Sequence, residues 1–480
     1  MSEREGSNGP WMLLITVHGF RDVCKVSSVA WLAALPRWDL VTLAQLKARV
    51  RRLLVTVAVV WLCIAAIRGI FAAWAVPRLA DYEGQWHEDV VRVRERAEQD
   101  PMPNGEPAGG QAVCLYRQLL ETLDTDQRAT LLSRERVIVD AASAGRVELP
   151  SGNQNAASVC AVLSETIETT TPPRSCDWDI EELLRGQGLD HESPTLARIG
   201  AGCLVIEGNN LLAAGDVQAA YRRYVQTLRV GADLTGGEIL MYITGLGIAG
   251  IGVDRLTELM SSSDTSTVTP HLARELPGFA PSLEELAAVV EVERLMGWER
   301  LSAYETPEAF SDHDGSSRLV WRGLAILVTR KAIGAYFLTS RREHVFRALA
   351  EAVTIEDPRE AADRLQEVVE DAHQVPHPLV SAEIRWWPNL RISHDDLLAR
   401  IRLLLAAAKL EELKSETGSY PRDGSDIGLP IDPFAWPDTV QYEALSRDRG
   451  YRLWSVGEDL VDDRGTKSDR KDLVLEHIAQ

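Results

Sequence analysis

The sharpest change in the pattern of hydrophobic and polar residues is one long apolar run, Leu53 to Pro77. Arg68 is its only charged residue. A helix needs about 20 residues to cross the hydrocarbon core of a bilayer, so the run is long enough to span it. Helices on the surface of soluble proteins usually keep one polar face, which this run lacks. The pattern predicts a transmembrane helix over 53–77, with a buried core helix as the alternative.

Beyond this run, apolar residues recur at helical spacing from about residue 112 to residue 410. One stretch places six side chains on one face: Val217, Ala220, Tyr221, Tyr224, Val225 and Leu228. No 34-residue repeat is present, which argues against a tetratricopeptide array. The periodicity predicts a large, non-repeating helical domain. Its expected helices cover 82–99, 191–213, 236–262, 282–302, 317–336, 340–353 and 358–372, and the Pro/Gly-rich segment 100–111 is expected to be a linker.

The pattern changes again near the C-terminus. A predicted helix over 395–416 is followed by two strand-like segments, 439–445 and 451–456. The predicted fold class is therefore mainly α, with a transmembrane helix, a helical domain and a small C-terminal α+β module of one helix and an antiparallel sheet. The expected boundaries are 1–52, 53–77, 78–390 and 391–480.

The distribution of charge indicates an orientation for the membrane span. The first 52 residues hold eight Lys/Arg against four Asp/Glu, whereas the whole chain has a net charge of −20. By the positive-inside rule, residues 1–52 are cytoplasmic and the chain beyond residue 78 is extracytoplasmic. The run lies too far from the first residue for a standard cleavable signal, so we expect an uncleaved anchor. The acidic balance argues against nucleic acid as a partner.

The C-terminal segment carries a series of motifs in a fixed order. The predicted helix ends in a G-x-Y-P turn, a D-P-F loop follows, and the last predicted strand runs into S-x-G-x-D. This order resembles the globular domain of the major pseudopilin of type II secretion. The matching residues are Gly418, Tyr420, Pro421, Asp432, Pro433, Phe434, Tyr451, Leu453, Trp454, Ser455, Gly457 and Asp459.

This resemblance covers about 85 residues, and it implies a calcium site in the terminal loop. Ca²⁺ prefers six to eight oxygen ligands from carboxylates, hydroxyls and carbonyls. Ser455 and Asp459 correspond to the motif, and Asp462 and Asp463 are added as candidate metal ligands because of the local charge. The family's glycine after the Asp459 position is Leu460 here. A solvated acidic turn that closes the sheet is the alternative.

The chain departs from true pseudopilins at its N-terminal end. Gly19-Phe20 is not followed by a glutamate at the fifth mature position, and it lies well before the apolar run. More than 300 residues also separate the predicted span from the C-terminal module. A fibre subunit is therefore not expected. The whole layout is similar to single-pass bacterial envelope proteins with no settled activity, which implies an inner-membrane location with a periplasmic bulk.

Other motifs give little support for an enzyme. A G-x-G-x-x-G sequence at Gly245, Gly247 and Gly250 raises the possibility of a dinucleotide site, but its surroundings are helical. We expect the glycines to permit close helix packing, and we expect no nucleotide. Four cysteines beyond the span allow two disulfides in three connectivities, or free thiols: Cys114, Cys160, Cys176 and Cys203.

These observations favour a membrane-anchored extracytoplasmic structural or interaction protein. It is expected to associate with the membrane and with protein partners, in a secretion or cell-surface assembly. A membrane-anchored envelope hydrolase whose site is hidden among helix carboxylates is the alternative. A cytoplasmic cofactor-binding enzyme built on Gly245–Gly250 would require the membrane prediction to be wrong.

Overall fold

A computed structural model describes residues 43–99, 123–150, 154–169, 192–235, 239–262, 267–303, 339–374, 384–446, 450–465 and 472–478. These residues are mainly helical and include one three-stranded antiparallel sheet, so the coarse fold class is confirmed. Several predicted features lie outside the described residues: most of segment 1–52, the linker 100–111, the helix 317–336, Cys114 and Cys176.

The chain divides into two compact units, Met1–Phe71 and Ala72–Gln480. Helix α1 spans Leu43–Gln99 and is continuous through the boundary. In the first unit its apolar side chains are exposed, from 39% for Ile64 to 70% for Ile70. The helix is long and apolar enough to cross a membrane, and none of its most apolar stretch is buried. The predicted anchor thus lies on a helix whose apolar surface the first unit leaves uncovered.

The second unit is built from helices with a small sheet at its C-terminal end. After the last part of α1, the helices are α2 (Thr125–Ser143), α3 (Gln154–Thr169), α4 (Glu192–Ala213), α5 (Val217–Leu234), α6 (Ile239–Ser262), α7 (Thr269–Glu275), α8 (Leu283–Ala303), α9 (residues 339–353), α10 (Pro358–His373) and α11 (Trp387–Thr417). The helices predicted from periodicity at 191–213, 236–262, 282–302, 340–353 and 358–372 are confirmed to within a few residues.

Helices α5 and α6 cross at backbone contact because glycines meet there. A Cβ atom on Gly231 would lie 2.5 Å from the Ala249 nitrogen, and one on Gly245 would lie 2.6 Å from the Gly231 oxygen. No side chain fits such a gap. α6 is also apolar and long enough to cross a membrane, but 56% of its most apolar stretch is buried in this unit. The prediction that the motif glycines permit close helix packing is confirmed at Gly245 and is wrong at Gly247 and Gly250, where a Cβ atom would meet nothing within 4 Å.

A disulfide joins α3 to α4. Cys160 and Cys203 are bonded across 43 residues of sequence, and both lie in a hydrophobic core with residues of α2. This selects one pair from the connectivities that the sequence left open. Closing a loop of this length lowers the entropy of the unfolded chain, which is worth roughly 2–4 kcal/mol. Among the residues that the structure describes, Cys63 on α1 is a free thiol.

The extension of α1 beyond residue 71 is attached to the helical body by buried polar contacts. The Trp86 indole N–H donates to the Leu295 carbonyl at 3.2 Å, and Arg294 forms ion pairs with Asp89 on α1 and Glu343 on α9. Arg342 adds hydrogen bonds to the carbonyls of residues 293 and 294. A buried, fully paired arginine of this kind fixes α1 relative to α8 and α9 within the second unit.

Helix α11 continues from the helical body into the C-terminal sheet. It begins at Trp387, eight residues before the predicted start, because Pro388 in its first turn is compatible with a helix N-terminus. It ends at Gly418, whose φ of 79° favours glycine. The predicted boundary at residues 390 and 391 therefore falls inside this helix. A single hydrophobic core includes Leu365, Leu404 and Tyr451, which come from both sides of that boundary.

The sheet contains β1 (Gln441–Ser446), β2 (Gly450–Ser455) and β3 (Leu473–Ile478), in that order and antiparallel. Leu453 pairs with Tyr442 on one side and with Leu475 on the other. Tyr451 and Leu453 on the central strand are fully buried. The two strands predicted at 439–445 and 451–456 are confirmed with small shifts in their ends. The sheet places the acidic segment after β2 next to α6 and α11.

Candidate functional site

The segment that follows β2, residues 455–465, is called the acidic turn here. Ser455 is fully buried, and its hydroxyl donates a 2.7 Å hydrogen bond to Oδ1 of Asp432. The other Asp432 oxygen accepts the backbone N–H of Val456 at 3.0 Å, and Oδ1 also accepts the N–H of Phe434. The buried Asp432 carboxylate thus joins the D-P-F loop to the end of β2. The Ser455 hydroxyl is committed to this contact.

The carboxylates of the acidic turn accept hydrogen bonds from the turn itself. Asp459 accepts from the Val461 N–H at 3.2 Å. Asp462 accepts from the Trp454 indole at 2.9 Å and from the Arg464 N–H at 2.8 Å. The bonds from Val461 and Arg464 are local side-chain to backbone bonds, which stabilise tight turns, and the bond from Trp454 joins two side chains. They satisfy donors that the folded turn would otherwise leave without a partner.

Backbone angles show how tight this turn is. Leu460 and Arg464 have φ values of 57° and 59°, in the left-handed region that costs most residues energy. Leu460 stands where the pseudopilin family has a glycine. In the parts of the chain that the structure describes, no group of three or more His, Cys, Asp or Glu is arranged to hold a metal ion. Ser455, Asp459, Asp462 and Asp463 do not converge as one ligand set, and the calcium site stays a prediction.

A second feature lies between α6, α11, the acidic turn and β3, and it is called the groove. It has a volume of about 1070 Å³. Its apolar wall is formed by α6 and by the first half of α11, with contributions from Leu246, Leu390, Leu397 and Leu473. The partly exposed side chains of Ile243, Trp386 and Ile392 also line it. The groove joins elements that are far apart in sequence.

Two of the three motif glycines form part of the groove wall. Gly247 and Gly250 line it, and a Cβ atom on either would meet nothing within 4 Å. Both lie inside the continuous helix α6, so the strand–turn–helix geometry of a dinucleotide motif is not formed. The dinucleotide interpretation of this motif is therefore wrong. Its strand-compatible neighbour, residues 238–244, belongs to the same helix from Ile239 onward.

Charged residues also line the groove. Arg400 donates to Asp254 on α6 at 2.9 Å and forms an ion pair with Asp396 one helical turn earlier, also at 2.9 Å. Glu458 from the acidic turn and Asp472 before β3 also line the groove. Among the residues that the structure describes, the groove therefore contains four carboxylates and one guanidinium.

The electrostatics of the groove disfavour further negative charge. Burial raises the pKa of Asp396, Arg400 counteracts the rise, and the negative charges of Asp254 and Glu458 add to it. Burial also raises the pKa of Asp472, although hydrogen bonds from the backbone at Gly465 and Asp463 counteract it. Like charges that oppose each other in this way are relieved by a cation.

Sequence reasoning missed most of this site. Asp432 was identified only as a motif match, and Asp254, Asp396, Arg400 and Asp472 were not singled out. The i, i+4 spacing of Asp396 and Arg400 is a local signal for an ion pair. No local signal links α6 to β3, because their contact depends on the tertiary fold.

A comparison of this chain with protein-family models, with curated proteins and with solved structures found no match.

Proposed function

We propose that this protein is a membrane-anchored extracytoplasmic interaction protein, associated with a secretion or cell-surface assembly of the bacterial envelope. α1 serves as the anchor, with residues 1–52 in the cytoplasm. The second unit is the part that meets partners in the periplasm. The C-terminal module acts as a pseudopilin-type cap on the helical body, a proposal that rests on its sequence motifs.

The exposed apolar surface of α1 carries this proposal. Side chains such as Leu54, Trp61 and Ile70 are more than half exposed, which is costly in water and favourable in lipid. The basic residues before the run and the acidic residues after it support an outward-facing body. The Cys160–Cys203 disulfide supports the same side of the membrane, since such bonds persist in oxidising compartments.

Reporter fusions test the location. Alkaline phosphatase requires an oxidising compartment, so a fusion after residue 100 is expected to be active and a fusion after residue 40 inactive. Green fluorescent protein fused at the same two positions is expected to give the reverse pattern. Cytoplasmic behaviour of the fusion at residue 100 would overturn the proposal.

An envelope hydrolase is the second candidate, and the groove supplies the observation that favours it. A carboxyl with a raised pKa, such as Asp396, among further carboxylates is an arrangement suited to general acid–base hydrolysis of glycosides. The test is a panel of chromogenic glycosides with the wild type and with Asp396→Asn. Turnover that the variant loses would support the hydrolase, and equal rates in both would remove this candidate.

A further inference from the structure

We infer that the groove binds a segment of a partner protein in which apolar and basic side chains alternate. The inference rests on the proposed function, because it names the kind of partner that an interaction protein of this shape would take. It is carried by three properties of the groove: an apolar wall with exposed side chains, an excess of carboxylates among the described residues, and a size that can hold a short peptide segment.

The apolar wall offers contact area that the described residues leave open to solvent. Ile243, Trp386 and Ile392 are 47%, 53% and 37% exposed. Large apolar side chains that share one concave surface mark interaction sites more often than scattered ones do. Gly247 and Gly250 leave the surface of α6 without side chains at this point, so a partner chain can approach the helix backbone closely.

The carboxylates of the groove favour a partner with positive charge. In the part of the chain that the structure describes, Arg400 is shared by Asp254 and Asp396, and Glu458 and Asp472 add two further carboxylates to the groove. Glu458 is exposed, and the pKa values of Asp396 and Asp472 are raised in part by neighbouring acids. Lys or Arg side chains would relieve this repulsion. Acidic peptides and phosphate-bearing ligands would increase it.

The size of the groove is sufficient for a short peptide segment. Small-molecule sites usually enclose roughly 300–1000 Å³. The groove has about 1070 Å³ and is open to solvent along α6 and α11. An extended segment places successive side chains on opposite faces. One face would then meet the apolar wall and the other Glu458 and Asp472.

Fluorescence anisotropy of short labelled peptides tests the inference on the full-length protein in an uncharged detergent, with empty micelles as the blank. Three peptides are compared: alternating Leu and Lys, alternating Leu and Glu, and alternating Ser and Lys. Only the Leu/Lys peptide is expected to bind well, with an affinity that falls as salt is added. Equal binding of the Leu/Glu peptide would overturn the inference.

Two variants with matched controls locate the binding. Gly250→Leu introduces a side chain into open groove space and also improves helix propensity, so the protein is expected to fold. Its control is Gly84→Leu, at an exposed α1 glycine whose Cβ would likewise meet nothing within 4 Å. We expect Gly250→Leu to weaken peptide binding more than about tenfold, and the control to leave it unchanged.

The charge variant is Glu458→Lys, and its control is Glu416→Lys. Glu416 is exposed on the same helix as Arg400 and lies about 24 Å farther along its axis. Glu458→Lys is expected to weaken binding of the Leu/Lys peptide about tenfold, and Glu416→Lys to have little effect. Equal affinities of Gly250→Leu, Glu458→Lys and wild type would exclude the groove as the site.

The outcomes separate this inference from the proposed function. If no Leu/Lys peptide binds while the phosphatase fusion at residue 100 is active, the inference of a basic peptide partner is overturned. The proposal of an anchored protein with an extracytoplasmic body then still stands. Groove-dependent binding together with a cytoplasmic reporter would support the inference and overturn the location.

Discussion

The acidic turn and the groove both carry several carboxylates, and Glu458 belongs to both. In the turn, the carboxylates of Asp459 and Asp462 accept hydrogen bonds from the turn's own backbone and from Trp454. The groove has four carboxylates, of which Asp254 and Asp396 share Arg400, and the pKa values of Asp396 and Asp472 are raised. The first set stabilises local structure. The second set adds negative charge to the groove, where Glu458 is exposed, although Asp472 is buried and also accepts hydrogen bonds from the turn backbone.

This difference shows that a high density of acidic residues in a sequence does not determine what their side chains do in the folded protein. The run from Glu458 to Asp463 looks like a ligand cluster, yet two of its carboxylates are engaged as turn acceptors. The groove draws its acids from α6, α11, the turn and the residue before β3, where no local cluster is visible. What decides the role is the donor that each carboxylate meets in the folded protein.

The largest effect is expected from Asp432→Ala. This change removes the acceptor for Ser455, Val456 and Phe434 in a buried site, so at least two backbone N–H groups lose their partner. We expect a loss of about 3 kcal/mol in the free energy of unfolding, measured by urea denaturation. The matched change in the exposed part of the turn, Asp459→Ala, is expected to cost less than about 1 kcal/mol. Equal losses would contradict the distinction between buried and exposed acceptors.

The second expected effect concerns calcium. If the predicted site at Ser455, Asp459, Asp462 and Asp463 exists, Ca²⁺ raises the melting temperature. At a Ca²⁺ concentration of 100 times the dissociation constant, the free energy of unfolding is expected to rise by about 2.7 kcal/mol. Asp459→Ala is then expected to abolish the rise, whereas Asp254→Asn in the groove leaves it intact. Mg²⁺ at the same concentration controls for ionic strength. A wild-type protein that gives no heat and no melting shift with Ca²⁺ would remove the site.

The sequence predicted the regular elements well and the sites poorly, for a physical reason. Helical periodicity and the apolar run are local, so α1, α4, α6 and α8 to α11 could be placed from spacing alone, whereas α2 and α3 were not predicted individually. The contact between Gly231 and Gly245 was predictable in kind, because glycines in an apolar helix allow close packing. The Ser455–Asp432 hydrogen bond and the groove depend on chain segments that only the tertiary fold brings together. The same holds for the pairing of Cys160 with Cys203.

A smaller effect is expected from the pH dependence of the groove. The pKa of Asp396 is raised by burial first, so the folded protein binds this proton more tightly than the unfolded chain does. The folded state therefore gains stability from Asp396 at low pH and loses it as pH rises through the raised pKa, above the ordinary value near 4. Asp396→Asn is expected to make the urea midpoint depend less on pH over this range. The corresponding change in the free energy of unfolding is expected to be less than about 1 kcal/mol, because the side chain is partly in water. An unchanged pH profile in the variant would contradict a raised pKa of Asp396 in the folded protein.

The smallest effect on stability is expected from Glu458→Gln, although this residue is central to the inferred partner. Glu458 is exposed on the groove side of the acidic turn, so removal of its charge is expected to change the free energy of unfolding by less than about 0.5 kcal/mol. The same variant is expected to weaken binding of the Leu/Lys peptide severalfold, because it removes part of the excess charge. Asp432→Ala should show the opposite profile, a large loss of stability without a specific loss of charge selectivity. If Glu458→Gln destabilises the protein as much as Asp432→Ala does, Glu458 stabilises the turn. The distinction between carboxylates that stabilise the turn and carboxylates that charge the groove then fails at Glu458, which belongs to both.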